Sequence, residues 1–284
     1  MAKRKQKTLG GTAGFTGIAL HTGRRVKIYL HPAPENSGII FRRIDLDGKP
    51  EIPADIDHVI DTQRGTTIAD GDAQVHTVEH LLAAFTAFGI DNAVVDMTGP
   101  EPPVADGSAE PFVELLRETG AKRQQAVKPI LEVTEPVFYE NDETRVVALP
   151  HDRFSIACTV KYNQTPLDCQ FLSLDVNKET FCNELAKART FCLFHEIEAL
   201  IKANLICGGS LDNAVVIKGN AILSREGLRY ADEFVRHKIL DMVGDLTLLK
   251  ADLKARFIAI KPGHQANIKI AEEIVRKSRE LVSK

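Results

Sequence analysis

Gly120 to Pro129 reads GAKRQQAVKP, a stretch that is polar, basic, almost free of bulky apolar side chains and closed by proline. Few contacts can cross such a segment, which makes it the best candidate for a domain boundary. It divides a chain of 284 residues, long for one core and comfortable for two domains of ordinary size. The expected division is 1–125 and 126–284.

The segments on either side alternate between strand-like and helix-like patterns. Before the boundary, Arg25 to His31 and Gly38 to Arg42 read as strands, and Asp61 to Gln74 as a polar, turn-rich connection. Val78, Leu81, Leu82, Phe85 and Phe88 then recur at helical spacing, with Thr77 placed to cap the helix and Gly89 to stop it. Asn92 to Thr98 reads as a buried strand and Pro111 to Thr119 as a short helix. After the boundary, strands are expected at Ile130–Val133, Arg145–Leu149, Phe154–Tyr162, Ala214–Lys218 and Arg256–Lys261. Helices are expected at Lys178–Ala188, Phe194–Ala203, Arg229–Lys250 and Ala266–Val282. DNAVV occurs at both Asp91–Val95 and Asp212–Val216, a match that short apolar strands make by chance. The fold class read from this order is α+β.

Composition excludes several classes. Hydrophobic residues make up 44% and charged residues 26%, the balance of a globular chain. A net charge of −3 with interspersed signs offers no basic stripe for a phosphate backbone, so nucleic acid is not an expected partner. The basic N-terminus runs into Gly10, Gly11, Thr12 and Gly14 rather than an apolar signal core, and no stretch is long and apolar enough for a membrane span. Five cysteines, odd in number and without a C-x-x-C pair, argue against a disulfide framework and a thiolate metal site. A cytoplasmic protein is expected.

Three segments could carry chemistry. In Tyr230–Leu249, His237, Asp241 and Asp245 lie one helical turn apart on a single stripe, with Lys238 beside it and the apolar arc of Val235, Ile239, Met242, Leu246 and Leu249 adjacent. Groups bordering a buried face are costly unless paired or ligated. An i, i+4 His/Asp pair can chelate a metal, but spacing alone favours an ordinary His–Asp hydrogen bond on a solvated face. Glu79 and His80 open the helix after Thr77. Taken alone, they read better as a capping Glu with an exposed His. Together the two segments supply two His, one Asp and an adjacent carboxylate, the ligands and base that a catalytic zinc needs. His264, after Gly263 at a strand end, is placed to act as an acid, and reads equally well as a loop histidine of no consequence.

These segments resemble the UDP-3-O-acyl-N-acetylglucosamine deacetylases, zinc amidases of lipid A biosynthesis in Gram-negative-type bacteria. The resemblance runs nearly end to end. It comprises KTL (Lys7–Leu9), GIALHTG (Gly17–Gly23), TVEHLLAA (Thr77–Ala84), GIDNAVV (Gly89–Val95) and DGSAEPFV (Asp106–Val113). It continues with ARTF (Ala188–Phe191), GGSLDNAVV (Gly208–Val216), EFVRHKILDMVGDL (Glu233–Leu246) and GH (Gly263–His264).

The resemblance implies two similar domains, each a β-sheet layered with helices, with the active site at their junction. It implies His80, His237 and Asp241 as ligands to Zn²⁺, with Fe²⁺ the alternative metal in the cell. Glu79 would be the general base and His264 the acid that protonates the leaving amine, held by Asp245. Lys238 and Thr190 would contact the substrate and the developing oxyanion. An insert at about 191–221 would form a passage for the fatty acyl chain, lined by Phe191, Ile197, Ile206 and Val216 with Cys192 at its mouth, although pattern alone reads this segment as core. The implied partner is the UDP-linked acylated N-acetylglucosamine, and a monomer is expected.

The chain departs from the family at Gln63–Thr67, where relatives are more apolar, and at Cys192, where glycine is usual. His195 maps onto no family role. The fused dehydratase domain of some relatives is not expected before the end at Lys284. Rival readings are an amidase acting on another acylated amino sugar and a silent protein that binds zinc or a nucleotide sugar. Loss of Glu79 or His264 would mark the silent protein, and both residues are present.

Overall fold

The computed structural model describes residues 4–162 and 169–282. Two open sheets dominate it, and they share one topology. In the first the strand order is Ala13–Ile18, Arg25–Pro32, Ala93–Met97, Ile39–Arg43, Glu51–Pro53. In the second it is Val137–Asn141, Thr144–Pro150, Asp252–Ile260, Phe154–Lys161, Cys169–Asp175, with Ile130–Glu132 added alongside Asp252–Ile260. Each sheet is two antiparallel hairpins with the last strand in sequence inserted between them, antiparallel to one neighbour and parallel to the other. The protein is therefore α+β with two similar domains. DNAVV is not the repeat: the structural counterpart of Ala93–Met97 is Asp252–Ile260, whereas Val215–Lys218 belongs to a separate small sheet.

The helices follow the same duplication. In the first half α1 (Glu79–Phe88) precedes the central strand and α2 (Glu110–Thr119) follows it. In the second half, after α3 (Lys178–Thr180) and α4 (Phe194–Lys202), α5 (Glu233–Thr247) and α6 (His264–Val282) occupy the corresponding places. α1 packs against α5 where the two helical layers meet. Leu81, Leu82 and Phe85 of α1 and Val235, Ile239, Met242 and Leu246 of α5 are buried in one apolar cluster that spans both halves. Close approach depends on Gly244, because a Cβ there would stand 2.1 Å from the carbonyl oxygen of Glu79. Arg4 also ties the halves together, binding Asp91 through both carboxylate oxygens (2.6 and 2.8 Å) and Asp252 at 2.7 Å.

Several local expectations are corrected. Gly120–Pro129, expected as the domain boundary with no strand assigned to it, contains one: Ala121–Val127 pairs antiparallel with Lys5–Leu9. Most of its side chains stay exposed, so the apolar alternation that betrays a strand is missing. Asp61–Gln74 holds short strands at Thr67–Asp70 and Ala73–Val75, which join Val59–Asp61. Thr77 does not cap α1. The N-cap is Val78, and Thr77, at φ 55°, donates its hydroxyl to Glu101 instead (3.0 Å). Gly89 does end α1, in the left-handed conformation that glycine adopts without a steric cost. The helix expected over Lys178–Ala188 is the short α3 running into a π turn at Phe181–Leu185. α5 begins at Glu233 rather than Arg229. Among the described residues no helix is long and apolar enough to cross a membrane.

Candidate active site

The α1–α5 contact brings together the pieces that lie far apart in sequence. His80 on the first turn of α1 faces His237 on α5, their rings 5.0 Å apart edge to face. Asp241, one turn beyond His237, lies between them: its Oδ1 is 3.3 Å from His237 Nε2 and 3.6 Å from His80 Nε2. Both histidines and Asp241 are buried, contrary to the reading of Glu79 and His80 as a solvated helix start.

The proton positions at His237 follow from its partners. Nδ1 lies 3.0 Å from the carbonyl oxygen of Ala188, which can only accept, so Nδ1 carries the hydrogen. Burial pushes the imidazole down to about 4, which leaves Nε2 with a bare lone pair. That lone pair points at a carboxylate oxygen. Asp241 Oδ1 has no hydrogen-bond partner among the described residues. Burial pushes the Asp241 carboxyl up, but His237 and Lys238 overcome it and hold the group well below the usual carboxylate range. Two acceptors facing each other in a buried site cost free energy unless a cation stands between them. The donor set of His80, His237 and Asp241, with ligand atoms all within 4.8 Å of one another, therefore fits a metal ion. Two imidazole nitrogens and one carboxylate are three donors of the kinds that divalent transition metals take.

A second trio adjoins the first. His264, the first residue of α6, places Nδ1 2.9 Å from Asp245 Oδ2 and Nε2 3.8 Å from Glu79 Oε1. Asp245 is fully buried, with Thr66 Oγ1 donating to it at 2.6 Å and Asn267 Nδ2 at 2.8 Å. Burial would lower the His264 imidazole, but Asp245 and Glu79 raise it to about 9. Burial raises the Glu79 carboxyl, whose Oε2 accepts the backbone N–H of Thr66 at 3.0 Å. Lys238 Nζ donates to Asp241 Oδ2 at 3.0 Å. Burial opposes that ammonium, yet Asp241 overcomes the cost and raises it.

Glu79, His80, His237, Lys238, Asp241 and His264 line one cavity of about 500 Å³, with Asp245 behind His264. Thr190 is on its wall, as are Phe191, Cys192, Ile197, Ile206 and Val216. The apolar part is built by a β-α-β unit: Phe191–Leu193, α4, then Val215–Lys218 parallel to the first strand. Thr190 and the Ala188 carbonyl are fixed from behind by Arg189, whose Nε donates to Glu233 Oε1 at 2.8 Å with both residues buried. His195 is exposed on α4, away from the cavity wall.

Sequence reasoning missed several contributors. Asn267 shares α6 with His264 at i, i+3 spacing, a signal that was available. Thr66, in a polar loop, gave none. His21, within the GIALHTG segment but given no role there, lines the cavity. Its backbone N–H donates to the buried Glu101 carboxylate, and its Nε2 is buried with no partner among the described residues.

Fold and site together define an α+β protein of duplicated halves with a buried centre between them, able to hold a metal ion and to move protons beside it. Residues 6–276 match the family described as UDP-3-O-acyl N-acetylglycosamine deacetylase. Proteins named UDP-3-O-acyl-N-acetylglucosamine deacetylase are similar over nearly the whole chain. The one from Geobacter sp. (strain M21) is 42% identical, covering 96% of this chain and 89% of its own. That from Chlamydia pneumoniae is 41% identical, covering 97% and 98%, and that from Methylococcus capsulatus is 43% identical, covering 98% and 93%. The chain belongs to this deacetylase family.

Proposed function

We propose that this chain is a metal-dependent deacetylase that hydrolyses the acetamide of UDP-3-O-acyl-N-acetylglucosamine, releasing acetate, as an early committed step of lipid A biosynthesis in the cytoplasm. The observation that carries the reading is the buried Asp241 Oδ1, without a hydrogen-bond partner among the described residues, facing the bare Nε2 of His237, beside Glu79 and the Asp245–His264 pair. His80, His237 and Asp241 would hold Zn²⁺, or Fe²⁺ in the cell, which supplies Lewis acidity toward a carbonyl and makes water more acidic.

The chain's own groups account for the proton transfers. Glu79 has one oxygen anchored by the Thr66 N–H, which leaves Oε1 to take the proton of the attacking water. Burial makes that carboxylate a stronger base than an exposed one. His264, kept protonated by Asp245, presents Nε2–H to the cavity and gives its proton to the departing amine. Lys238 and Thr190 stand where charge develops on the amide oxygen. Phe191, Cys192, Ile197, Ile206 and Val216 would take the acyl chain. We assign the halves as domains 1–125 and 126–284, with the acyl insert at about 191–221, acting as a monomer.

The test is metal analysis of the purified protein together with acetate release from the UDP-linked monoacyl sugar. Stoichiometric metal with turnover that chelation abolishes is expected. A metal-loaded protein that releases no acetate would overturn the reading.

A further inference from the structure

The loop Thr62–Thr66 forms one side of the cavity and α4 another, and an ion pair joins them. Arg64 Nη2 donates to Glu196 Oε1 at 2.8 Å and Nη1 to Oε2 at 3.2 Å, a two-pronged contact between residues 132 apart in sequence. Both ends are built in. Arg64 holds the left-handed backbone, at φ 63°, that most side chains avoid. Glu196 sits in the first turn of α4 and accepts the backbone N–H of Leu193 at 3.4 Å.

The residues after Arg64 bear on the reacting groups. Gly65 is packed so closely that a Cβ would stand 3.2 Å from Glu79 Oε1 and 3.2 Å from Thr77 Oγ1. Thr66 then donates its N–H to Glu79 and its hydroxyl to Asp245. On the other end, α4 contributes Ile197, Leu200 and Ile201 to the apolar wall. The ion pair thus connects the wall that would hold an acyl chain to the loop that orients the base and the partner of the acid.

We infer that Arg64 and Glu196 form a strut that couples filling of the apolar wall to placement of Glu79, making both of them positioning residues that set the chain-length response of the reaction. This rests on the deacetylase reading given above. A seated acyl chain fixes α4, the strut fixes Gly65 and Thr66, and Thr66 fixes Glu79. Chain length then acts on kcat as well as on KM.

The test uses Arg64→Ala, Glu196→Gln and the charge swap R64E/E196R in the full-length protein. Amide hydrogen exchange at Gly65 and Thr66, which needs no substrate, should quicken about two- to fivefold in each single variant, the size expected of a half-exposed ion pair. The swap should restore protection. With substrates differing only in acyl length, wild-type kcat should rise with length. In the single variants kcat should lose that dependence while KM keeps it. Unchanged exchange, or a swap that fails to restore it, overturns the strut. So does weakened binding of UDP in Arg64→Ala but not in Glu196→Gln, which would make Arg64 a diphosphate ligand. Altered exchange restored by the swap in a protein that deacetylates nothing would support the strut and remove the deacetylase reading alone.

Discussion

His237 Nε2 and Asp241 Oδ1 lie 3.3 Å apart on adjacent turns of α5 with no hydrogen to share between them. The His237 proton is committed to the Ala188 carbonyl, and Asp241 accepts from Lys238 through its other oxygen. Ordinary i, i+4 His–Asp pairs close on a hydrogen bond. This one is held open by its neighbours, and His80 approaches the same point from another helix.

A metal ion filling that gap should stabilise the folded chain. Free metal at a thousand times its Kd contributes about 4 kcal/mol, so chelation should lower Tm by several degrees and added zinc should restore it. His237→Ala should melt at one temperature with or without zinc. Metal affinity equal to that of wild type in this variant would remove the ligand assignment.

Glu79→Gln and His264→Ala should each lose about 10²–10⁴ in kcat while retaining metal. His264 is raised to about 9. It is therefore protonated at neutral pH, and the rate should fall as pH rises through that value. Asp245→Asn removes the carboxylate charge that does most to hold it up, so the basic limb should move to lower pH. A pH–rate profile of the variant with an unmoved basic limb would show that another group governs that limb.

Acyl length should tell through KM. Each methylene buried beside Ile197 and Val216 contributes at most about 0.8 kcal/mol, or up to about fourfold, until the cavity is full. In Ile197→Trp the preference for long chains should disappear. Steady-state kinetics on a chain-length series measure both, and a wild type indifferent to length would place the acyl chain elsewhere.

Gly244→Ala puts a methyl group into the Glu79 carbonyl oxygen. Relief requires α1 to move off α5, at a cost of about 1–3 kcal/mol. Because α1 carries both Glu79 and His80, urea denaturation should show the loss of stability, and titration with zinc a weaker affinity. Wild-type values for both would mean that the helices separate without disturbing the centre.

The sequence by itself determined what repeats within one element. The apolar stripe of α1, its stop at Gly89, the stripe of His237, Asp241 and Asp245 on α5 and the three central strands of each large sheet follow from local sequence patterns, chiefly side-chain periods of 3.6 and 2. Where a strand buries neither face, as at Ala121–Val127, or a helix relaxes into a π turn, as at Phe181–Leu185, that periodicity fails. Only the tertiary structure decided which elements face one another. His80 meets Asp241 because both helices bury their apolar stripes in one core and Gly244 lets them approach. Thr66 reaches Glu79 and Asp245, and Arg64 reaches Glu196, across chain separations at which no local pattern survives. A hydrogen bond or ion pair of this kind is specified by where packing leaves two polar groups, and packing is a property of the whole core.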